Sequence, residues 1–261
     1  LNLSEDELIA FLAPLRSRLL KEREKRIHPA LDDKILTSWN ALALQAFSEA
    51  ACILQNTRYK EIAQQSGTFL MQHLYDQGRL LRTWKNGRAH LKGYLEDYAF
   101  LIRALISLHE ATLSHHWLHA AQALTDQMLS LFWSESEQIL YDTGSDHEVL
   151  VVRPRDFTDN AIPSGSSVAT EALLIMGKLT GNNEYSRKAA ALLRTVHNYM
   201  GNYPRGFGHW LCALDTYLAS PTEVALIGTD DVSMTSALVN KIYSDWAPSR
   251  IFICQTFDEK K

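Results

Sequence analysis

The segment YLEDYAFLIRALISLHEATLSHHW, residues 94–117, decides the fold that the sequence predicts. Its apolar residues recur every three or four positions, which is the spacing of one face of an amphipathic α-helix. After a short polar turn, Trp117 begins a second apolar run, and Ala121 follows four residues later on the same helical face. The segment therefore predicts a helical hairpin made of an inner helix, a turn and an outer helix.

Two other segments repeat this pattern. Tyr59 is followed by Ala63, and Tyr185 is followed by Ala189, each pair after a long apolar periodic run and a polar turn. Successive aromatic residues are separated by the length of two helices and a loop. Such self-similarity indicates stacked helical hairpins, because one hairpin cannot bury its apolar face alone.

The remaining segments complete a mainly α prediction, a partial (α/α) toroid of helical hairpins with short β-hairpins in the loops. One hairpin is expected to turn at Asn86-Gly87, and a second ribbon to join residues 139–141 to residues 149–152. The tail, residues 221–255, alternates strand, helix and strand. We therefore expect two domains, a helical-hairpin region over residues 1–220 and a small βαβ appendage over residues 221–261.

Composition excludes several functional classes. The chain has 261 residues, of which 46% are hydrophobic and 21% charged, enough for one large core. The formal net charge is −4, and the basic residues of the segment 21–26 alternate with acidic ones, so no nucleic-acid surface is predicted. No apolar run approaches the roughly 20 residues that a membrane span needs. Neither nucleic acid nor membrane is expected as a partner.

The cysteines and histidines predict no metal site and no cofactor. Cys52, Cys212 and Cys254 are far apart and form no CxxC motif, which favours a reducing, cytoplasmic location. A histidine cluster at residues 115–119 lacks an acidic partner at metal-binding spacing.

Four blocks of the chain carry a family resemblance: DDKILTSWNALALQAFSEAA (32–51), GYLEDYAFLIRALISLHEAT (93–112), DNAIPSGSSVATEALL (159–174) and ALDTYLASPTEVALIG (213–228). They resemble the carboxy-terminal helical region of the spermatogenesis-associated protein 20 family, also called the YyaL-like thioredoxin-domain proteins. The resemblance implies a toroid similar to six-hairpin glycosidases and N-acylglucosamine 2-epimerases. It also implies that an amino-terminal thioredoxin-like domain and the first hairpins lie outside this sequence, which begins with Leu1 rather than Met.

In such a ring, the polar faces and the starts of the inner helices would converge on one cavity. Glycosyl chemistry requires two carboxyl groups there, one protonated and one ionised. The predicted catalytic residues are therefore Glu96, Asp97 and Asp159. The predicted substrate-binding residues are Asp33, Trp39, Asn40, Tyr98, Arg103, Ser164, Ser166 and His209.

A structural role competes with this prediction, because carboxylates at helix starts also cap free N–H groups and favour the positive end of the helix dipole. Two hypotheses follow. The chain is a carbohydrate-binding or carbohydrate-acting module, similar to glycosidases or sugar epimerases, with a sugar as its ligand. The alternative is a non-catalytic scaffold that serves a thioredoxin-like domain. That domain, or a second copy of the chain, would cover the incomplete ring.

Overall fold

The computed structural model describes residues 3–219, 221–227, 232–244, 247 and 250–255. The chain divides into two compact units, Leu1–Lys34 and Ile35–Lys261. The first unit contains helix α1 (Glu5–Arg23), which begins with the expected capping box between Ser4 and Glu7. The observed division falls at Lys34, and the predicted boundary near residue 220 stays a prediction.

The second unit is built from the three predicted helical hairpins. They are α2 (Thr37–Ile53) with α3 (Thr57–His73), α4 (Leu95–Thr112) with α5 (His115–Phe132), and α6 (Gly165–Thr180) with α7 (Asn183–Asn202). A 3₁₀ turn, Pro204–Gly206, leads into a further inner helix, α8 (Gly208–Leu218). Each inner helix packs against the next, α2 on α4, α4 on α6 and α6 on α8, and each of the first three carries its own outer helix. The repeat is confirmed.

The aromatic and alanine pairs that identified the repeat lie in the core. Ala63, Ala121 and Ala189 are fully buried. Trp117 and Tyr185 are buried beside their alanines, at the starts of α5 and α7. The small side chain lets the outer helix approach its neighbours closely, and the aromatic ring one turn earlier fills the space beside it.

Helix α4 is the centre of the unit. It is buried on almost every side because α2, α3, α5 and α6 all contact it. Phe100, which we expected on a cavity-facing side, is fully buried in packing. Although α4 is strongly apolar, neither it nor any other helix in the described part of the chain is long and apolar enough to cross a membrane.

A four-stranded antiparallel sheet accompanies the first two hairpins. It contains β1 (Ile35–Leu36), β2 (Tyr75–Asp76), β3 (Arg79–Lys85) and β4 (Arg88–Lys92), with β3 paired to the other three. The predicted turn is present, and Asn86 and Gly87 both have positive φ, at 52° and 75°. A two-residue turn of this kind requires positive φ at both positions, which explains the Asn-Gly sequence.

The prediction of the second ribbon is wrong about which strand pairs with residues 139–141. β6 (Ile139–Leu140) pairs with β5 (Trp133–Ser134) rather than with residues 149–152, which form no strand and are mostly exposed. The physical reason is the path of the loop: Asp142 N donates to Pro154 O at 2.9 Å, which brings the two ends of the segment together. Residues 149–152 therefore lie in the loop between them.

The tail has the predicted order of elements. β7 (Thr222–Ile227) and β8 (Arg250–Gln255) pair in parallel, with α9 (Val232–Tyr243) between them in sequence. We expected both strands to be buried on both faces, which is wrong for β7, since it is exposed or half-buried throughout. In β8, by contrast, Phe252 and Cys254 are buried, and this strand contacts α4 and α6.

Replacing Ala121 with leucine should destabilise the hairpin repeat. The added methyl groups have no space at this fully buried position, and overpacking of this kind typically costs about 1–3 kcal/mol. The free energy of unfolding in urea measures the effect. Ala123→Leu on the exposed side of α5 is the matched control, and equal stability of the two variants would contradict the assignment.

Candidate functional site

The inner helices α4 and α6 begin at the same end of the second unit and touch there. A Cβ atom added to Gly165, the first residue of α6, would lie 2.9 Å from the backbone N of Glu96 in the first turn of α4. Only glycine allows this approach without a shift of the backbone. The residues around both helix starts therefore share one surface.

A cavity of about 440 Å³ opens at this end, and we call it the N-terminal pocket. Its walls combine aromatic and aliphatic surface with hydrogen-bonding groups, a mixture that suits a polar ligand of sugar size. The lining residues are Arg82, Tyr94, Glu96, Asp142, Thr143, Pro154, Asp156, Thr158, Asn160, Ile162, Pro163, Ser164 and Gly165.

Glu96 lines the pocket and forms an ion pair with Arg82. Arg82 Nη1 lies 2.8 Å from Glu96 Oε1 and 3.0 Å from Asp97 Oδ2, so one guanidinium serves both carboxylates. The same guanidinium lies over the ring of Tyr94, 4.8 Å from its centroid. Arg82 on β3 therefore fixes Glu96 and the aromatic wall of the pocket together.

Asp142 is a second carboxyl group of the pocket, and sequence reasoning missed it. Burial, together with the nearby charges of Asp156 and Glu96, raises the pKa of Asp142 to about 6, although a hydrogen bond from Asp156 N at 2.9 Å acts in the opposite direction. The residue follows β6 in an irregular loop, where neither helical periodicity nor a cap motif singles it out. The one feature of the sequence that could have indicated Asp142 as a site residue is its position at the end of an apolar strand.

Asp97 is fully buried and holds two helix starts together. Its Oδ1 accepts from Ser38 N of α2 at 3.0 Å, and its Oδ2 accepts from Tyr94 N at 2.9 Å. Burial raises the pKa of Asp97 to about 6, although the Arg82 charge and the two backbone hydrogen bonds act in the opposite direction. These contacts give Asp97 a structural role, and a catalytic role for it stays a prediction.

Asp159 makes an equivalent connection between α6 and α8. Its Oδ1 accepts from Ser164 N at 2.8 Å and from Ser167 Oγ at 2.7 Å. Its Oδ2 accepts from the backbone N of His209 at 2.8 Å and of Trp210 at 3.3 Å. Both oxygens are thus used by the starts of two helices, which again favours the capping role.

The predicted substrate-binding residues divide among several places. Ser164 lines the N-terminal pocket, and its Oγ caps α6 by accepting from Ser167 N at 3.1 Å. Tyr98 is fully buried, where its OH donates to Gln127 Oε1 at 2.7 Å. Asn40 Nδ2 donates to Leu36 O at 2.8 Å.

Three further residues that were predicted to bind substrate do not line the N-terminal pocket. Ser166 is fully buried in α6, and its Oγ has no hydrogen-bond partner. Trp39, which lies on the apolar stripe of α2, is 64% exposed rather than in the core. Asp33 belongs to the first unit, apart from the residues that line the pocket.

Arg103 and His209 belong to a second cavity region, deeper along the inner helices. Arg103 Nε lies 2.9 Å from Glu171 Oε2, and His209 Nε2 lies 3.2 Å from the same oxygen. Burial raises the pKa of the Glu171 carboxyl, but the Arg103 charge and His209 outweigh burial and lower it to about 2. Sequence reasoning missed Glu171, since it is half-buried on a helix of mostly apolar residues.

The inner cavity beside this network measures about 470 Å³, and residues of α2, α4, α6, α8 and the tail line it. Tyr243 at the end of α9 donates its hydroxyl to Glu110 Oε2 at 3.0 Å. Burial raises the pKa of both groups. The predicted residues are therefore not gathered at one site, because Glu96 and Ser164 line the N-terminal pocket while Arg103 lines the inner cavity.

Metal ligation was tested across the part of the chain that the structure describes. No group of three or more His, Cys, Asp or Glu side chains is arranged there to hold a metal ion. In the cluster 115–119, His115 Nε2 lies 2.6 Å from Cys254 O of the tail, which gives this histidine a structural contact.

Replacing Glu171 with glutamine should destabilise the protein in a pH-dependent manner. The variant leaves Arg103 buried without its partner, which typically costs about 3 kcal/mol. Because the folded pKa of Glu171 is about 2 against an ordinary value of 4.5, its ionic contribution is present above pH 4.5 and is lost as the pH falls toward 2.

Urea denaturation between pH 7 and pH 3 measures this difference. The gap in stability between the wild-type protein and Glu171→Gln should be largest at neutral pH and shrink in acid. Glu137→Gln, which removes one half of an exposed ion pair with Arg155, is the control and should change little. A gap that does not depend on pH would contradict the role of the Glu171 charge.

Proteins of similar sequence agree with the family resemblance. No family model matches the chain. Spermatogenesis-associated protein 20 of Homo sapiens is 30% identical over 247 residues, which cover 90% of this chain and 31% of that protein. The protein of the same name from Rattus norvegicus is 30% identical over 250 residues, with the same coverage.

Solved structures with a similar fold are sugar enzymes. Cellobiose 2-epimerase from Spirochaeta thermophila superposes with a TM-score of 0.53 and 19% identity over 62% of this chain and 43% of that one. The family GH76 α-mannanase from Bacteroides thetaiotaomicron gives a TM-score of 0.55 and 15% identity over 83% of this chain and 59% of that one. At these identities the likeness shows the α/α toroid fold alone. The chain is therefore similar in sequence to spermatogenesis-associated protein 20 and has an α/α toroid fold, and it spans about a third of the length of the curated relatives that it matches.

Proposed function

We propose that the chain is a carbohydrate-acting toroid module whose reaction takes place in the N-terminal pocket. The observation that carries the proposal is a pair of carboxyl groups in opposite environments. Burial raises the pKa of Asp142 to about 6, whereas Glu96 is paired with the Arg82 guanidinium at 2.8 Å. A carboxyl group with a raised pKa beside a second carboxyl group that is held by a guanidinium is an arrangement suited to acid/base chemistry.

In this proposal the two groups divide the work of glycoside hydrolysis. The protonated Asp142 carboxyl donates its proton to the glycosidic oxygen of the leaving sugar. The Glu96 carboxylate accepts a proton from the attacking water, whose oxygen forms the new bond to the anomeric carbon. Proton exchange with solvent then restores both groups.

The other pocket residues support binding of a polar ring. Tyr94 contributes aromatic surface to the pocket wall, and both the Arg82 guanidinium and the His147 ring lie against it. Asn160, Thr143 and Thr158 supply hydrogen-bonding side chains around it. The starts of α4 and α6 add the positive ends of two helix dipoles, which favour negatively charged groups in the pocket.

The proposal changes the predicted catalytic set. Glu96 is retained, and Asp142 replaces Asp97 and Asp159, which the sequence predicted as catalytic together with Glu96. We expected that carboxylates engaged with backbone N–H groups would favour a structural role, and both Asp97 and Asp159 are so engaged. The toroid neighbours are consistent with the proposal, since one is a cellobiose 2-epimerase and the other is an α-mannanase.

Substitution of the two pocket carboxyl groups tests the proposal. Asp142→Asn and Glu96→Gln should each lower kcat on a cleaved substrate by about 10²–10⁴-fold with folding retained. Cellobiose and α-mannan oligosaccharides are the first substrates to assay, with binding measured by calorimetry. Glu137→Gln, an exposed carboxylate outside the pocket, is the control and should keep full activity.

The pH profile provides an independent check. Activity requires a protonated Asp142, so it should decline as the pH rises through about 6. Asp159→Asn should instead lower the melting temperature, because an amide cannot accept all the N–H groups that the carboxylate accepts. Full activity in both pocket variants, or no binding of any sugar by the wild-type protein, would refute the assignment.

A second candidate function is a scaffold without catalysis. The engagement of Asp97 and Asp159 with helix starts favours it, since these carboxylates then serve only the fold. In this case the partner would be a thioredoxin-like domain, as the family resemblance implies. A cytoplasmic location, which the three widely spaced cysteines without a CxxC motif favour, fits either proposal.

A further inference from the structure

Helix α4 is mostly apolar, but it carries one polar stripe that faces the inner cavity. Arg103, Ser107 and Glu110 are spaced by four and three residues, so they lie along one side of the helix. All three line the inner cavity of about 470 Å³. Phe100, one turn before Arg103 on the same side, is fully buried, and Glu96 beyond it lines the N-terminal pocket. The same side of α4 therefore contributes to two separate cavities.

The guanidinium of Arg103 uses only part of its hydrogen-bonding capacity. Its Nε donates to Glu171 Oε2 at 2.9 Å. Among the residues that the structure describes, none accepts a hydrogen bond from its Nη1 or Nη2. A guanidinium presents its N–H groups in a planar fork that matches the two oxygens of a carboxylate. Arg103 can therefore bind the carboxylate of a ligand while it keeps its contact with Glu171.

Glu110 is the acceptor at the other end of the stripe. Its Oε2 accepts from the Tyr243 hydroxyl at 3.0 Å, and within the described part of the chain its Oε1 accepts no hydrogen bond. Burial raises the pKa of Glu110, the Glu49 charge adds to this effect, and the charges of Arg103 and Arg250 oppose it only in part. The positive charges around Glu110 thus do not offset its burial, and a cationic group of a ligand would.

The inner cavity also has an aliphatic wall. Ile53 of α2, Ile175 of α6 and Ile251 of β8 line it. Small-molecule sites typically measure about 300–1,000 Å³ and combine apolar walls with a few polar groups. Since a water molecule takes up roughly 30 Å³, the cavity has room for a ligand of amino-acid size together with several waters.

The charges of the cavity favour a ligand that carries both signs. An anion would bind to Arg103, but it would also lie close to three carboxylates, those of Glu49, Glu110 and Glu171. An amine would be balanced by these carboxylates, but it would leave the Arg103 fork without an acceptor. A small zwitterion with an apolar side chain satisfies the fork, the free carboxylate oxygen and the aliphatic wall together.

We propose that the inner cavity is a second ligand site, which binds a free α-amino acid with an apolar side chain. The ligand carboxylate accepts from Nη1 and Nη2 of Arg103, the ligand ammonium donates to Glu110 Oε1, and the side chain packs against the three isoleucines. Because Tyr243 and Ile251 belong to the tail, the ligand also connects the tail to α4. No described residue lines both this cavity and the N-terminal pocket, so the site does not depend on the proposed reaction.

Calorimetric titration of the full chain with L-leucine and two matched analogues tests the chemistry of the ligand. 3-Methylbutylamine lacks the carboxylate of L-leucine, and 4-methylpentanoate lacks its ammonium. Each analogue should bind at least about tenfold more weakly than L-leucine, because each loses one charge-assisted contact. L-Leucine should also raise the melting temperature, since it binds only the folded chain. No binding of L-leucine, or equal binding of either analogue, would overturn the proposal.

Glu110→Gln tests the ammonium end of the site. The amide has nearly the size of the carboxyl group but carries no negative charge, so L-leucine should bind at least about tenfold more weakly. Folding should be retained, because burial disfavours a charge at this position and the amide places none there. Glu137→Gln, outside the cavity, is the matched control and should bind L-leucine as the wild-type protein does.

Arg103→Lys tests the carboxylate end. Lysine keeps a positive charge beside Glu171 but lacks the planar fork. The affinity for L-leucine should therefore fall at least about tenfold, whereas the affinity for 3-methylbutylamine should stay the same, and a general loss of structure would lower both.

Two further measurements separate this site from the N-terminal pocket. Glu96→Gln should leave L-leucine binding intact, so this proposal and the proposed function can fail independently. Glucose, which carries no charge, should give no binding signal that depends on Glu110. An unchanged affinity for L-leucine in either Glu110→Gln or Arg103→Lys, or a glucose signal that Glu110→Gln removes, would count against an amino-acid site and overturn the proposal.

Discussion

Two carboxylates, the buried Asp97 and the half-buried Asp159, connect the starts of the inner helices, and the site depends on that connection. Asp97 links α2 to α4, and Asp159 links α6 to α8, each by accepting backbone N–H groups that a helix start leaves unpaired. Burial makes each bond stronger and each missing partner more costly. The two residues therefore hold four helix starts at one end of the molecule, and the N-terminal pocket lies among them.

Sequence reasoning predicted the hairpins because their cause is local. The Trp117–Ala121 pair and its two repeats mark the positions where an outer helix packs closely against its neighbours. Such positions can be found in the sequence because they recur at a regular spacing. The Asn86-Gly87 turn is equally local, because the required φ values belong to two adjacent residues. The failed second ribbon shows the limit: residues 149–152 have a strand-like sequence, but no strand edge lies beside them.

The site was less accessible to the same reasoning. Asp97 and Asp159 were predicted as catalytic from their positions at helix starts, but a carboxylate there looks the same in sequence whether it caps the helix or faces a ligand. Asp142 was missed because its surroundings come from two other segments of the chain, Asp156 and Glu96, which only the fold brings near. Trp39 was misjudged for a related reason, since an apolar stripe in sequence does not say whether a neighbour covers it.

The parallel pairing of β7 with β8 has a consequence for the order of folding. The hairpins form from segments that are neighbours in sequence. Strand β8, by contrast, can pair with β7 only after α9 has been made, and it packs against α4 and α6, which lie much earlier in the sequence. Several residues of this tail line the inner cavity together with Glu110 and Arg103. The arrival of the last strand completes the wall of that cavity, so the ionisable groups inside the ring take on their shifted properties only when synthesis of the described chain is nearly complete.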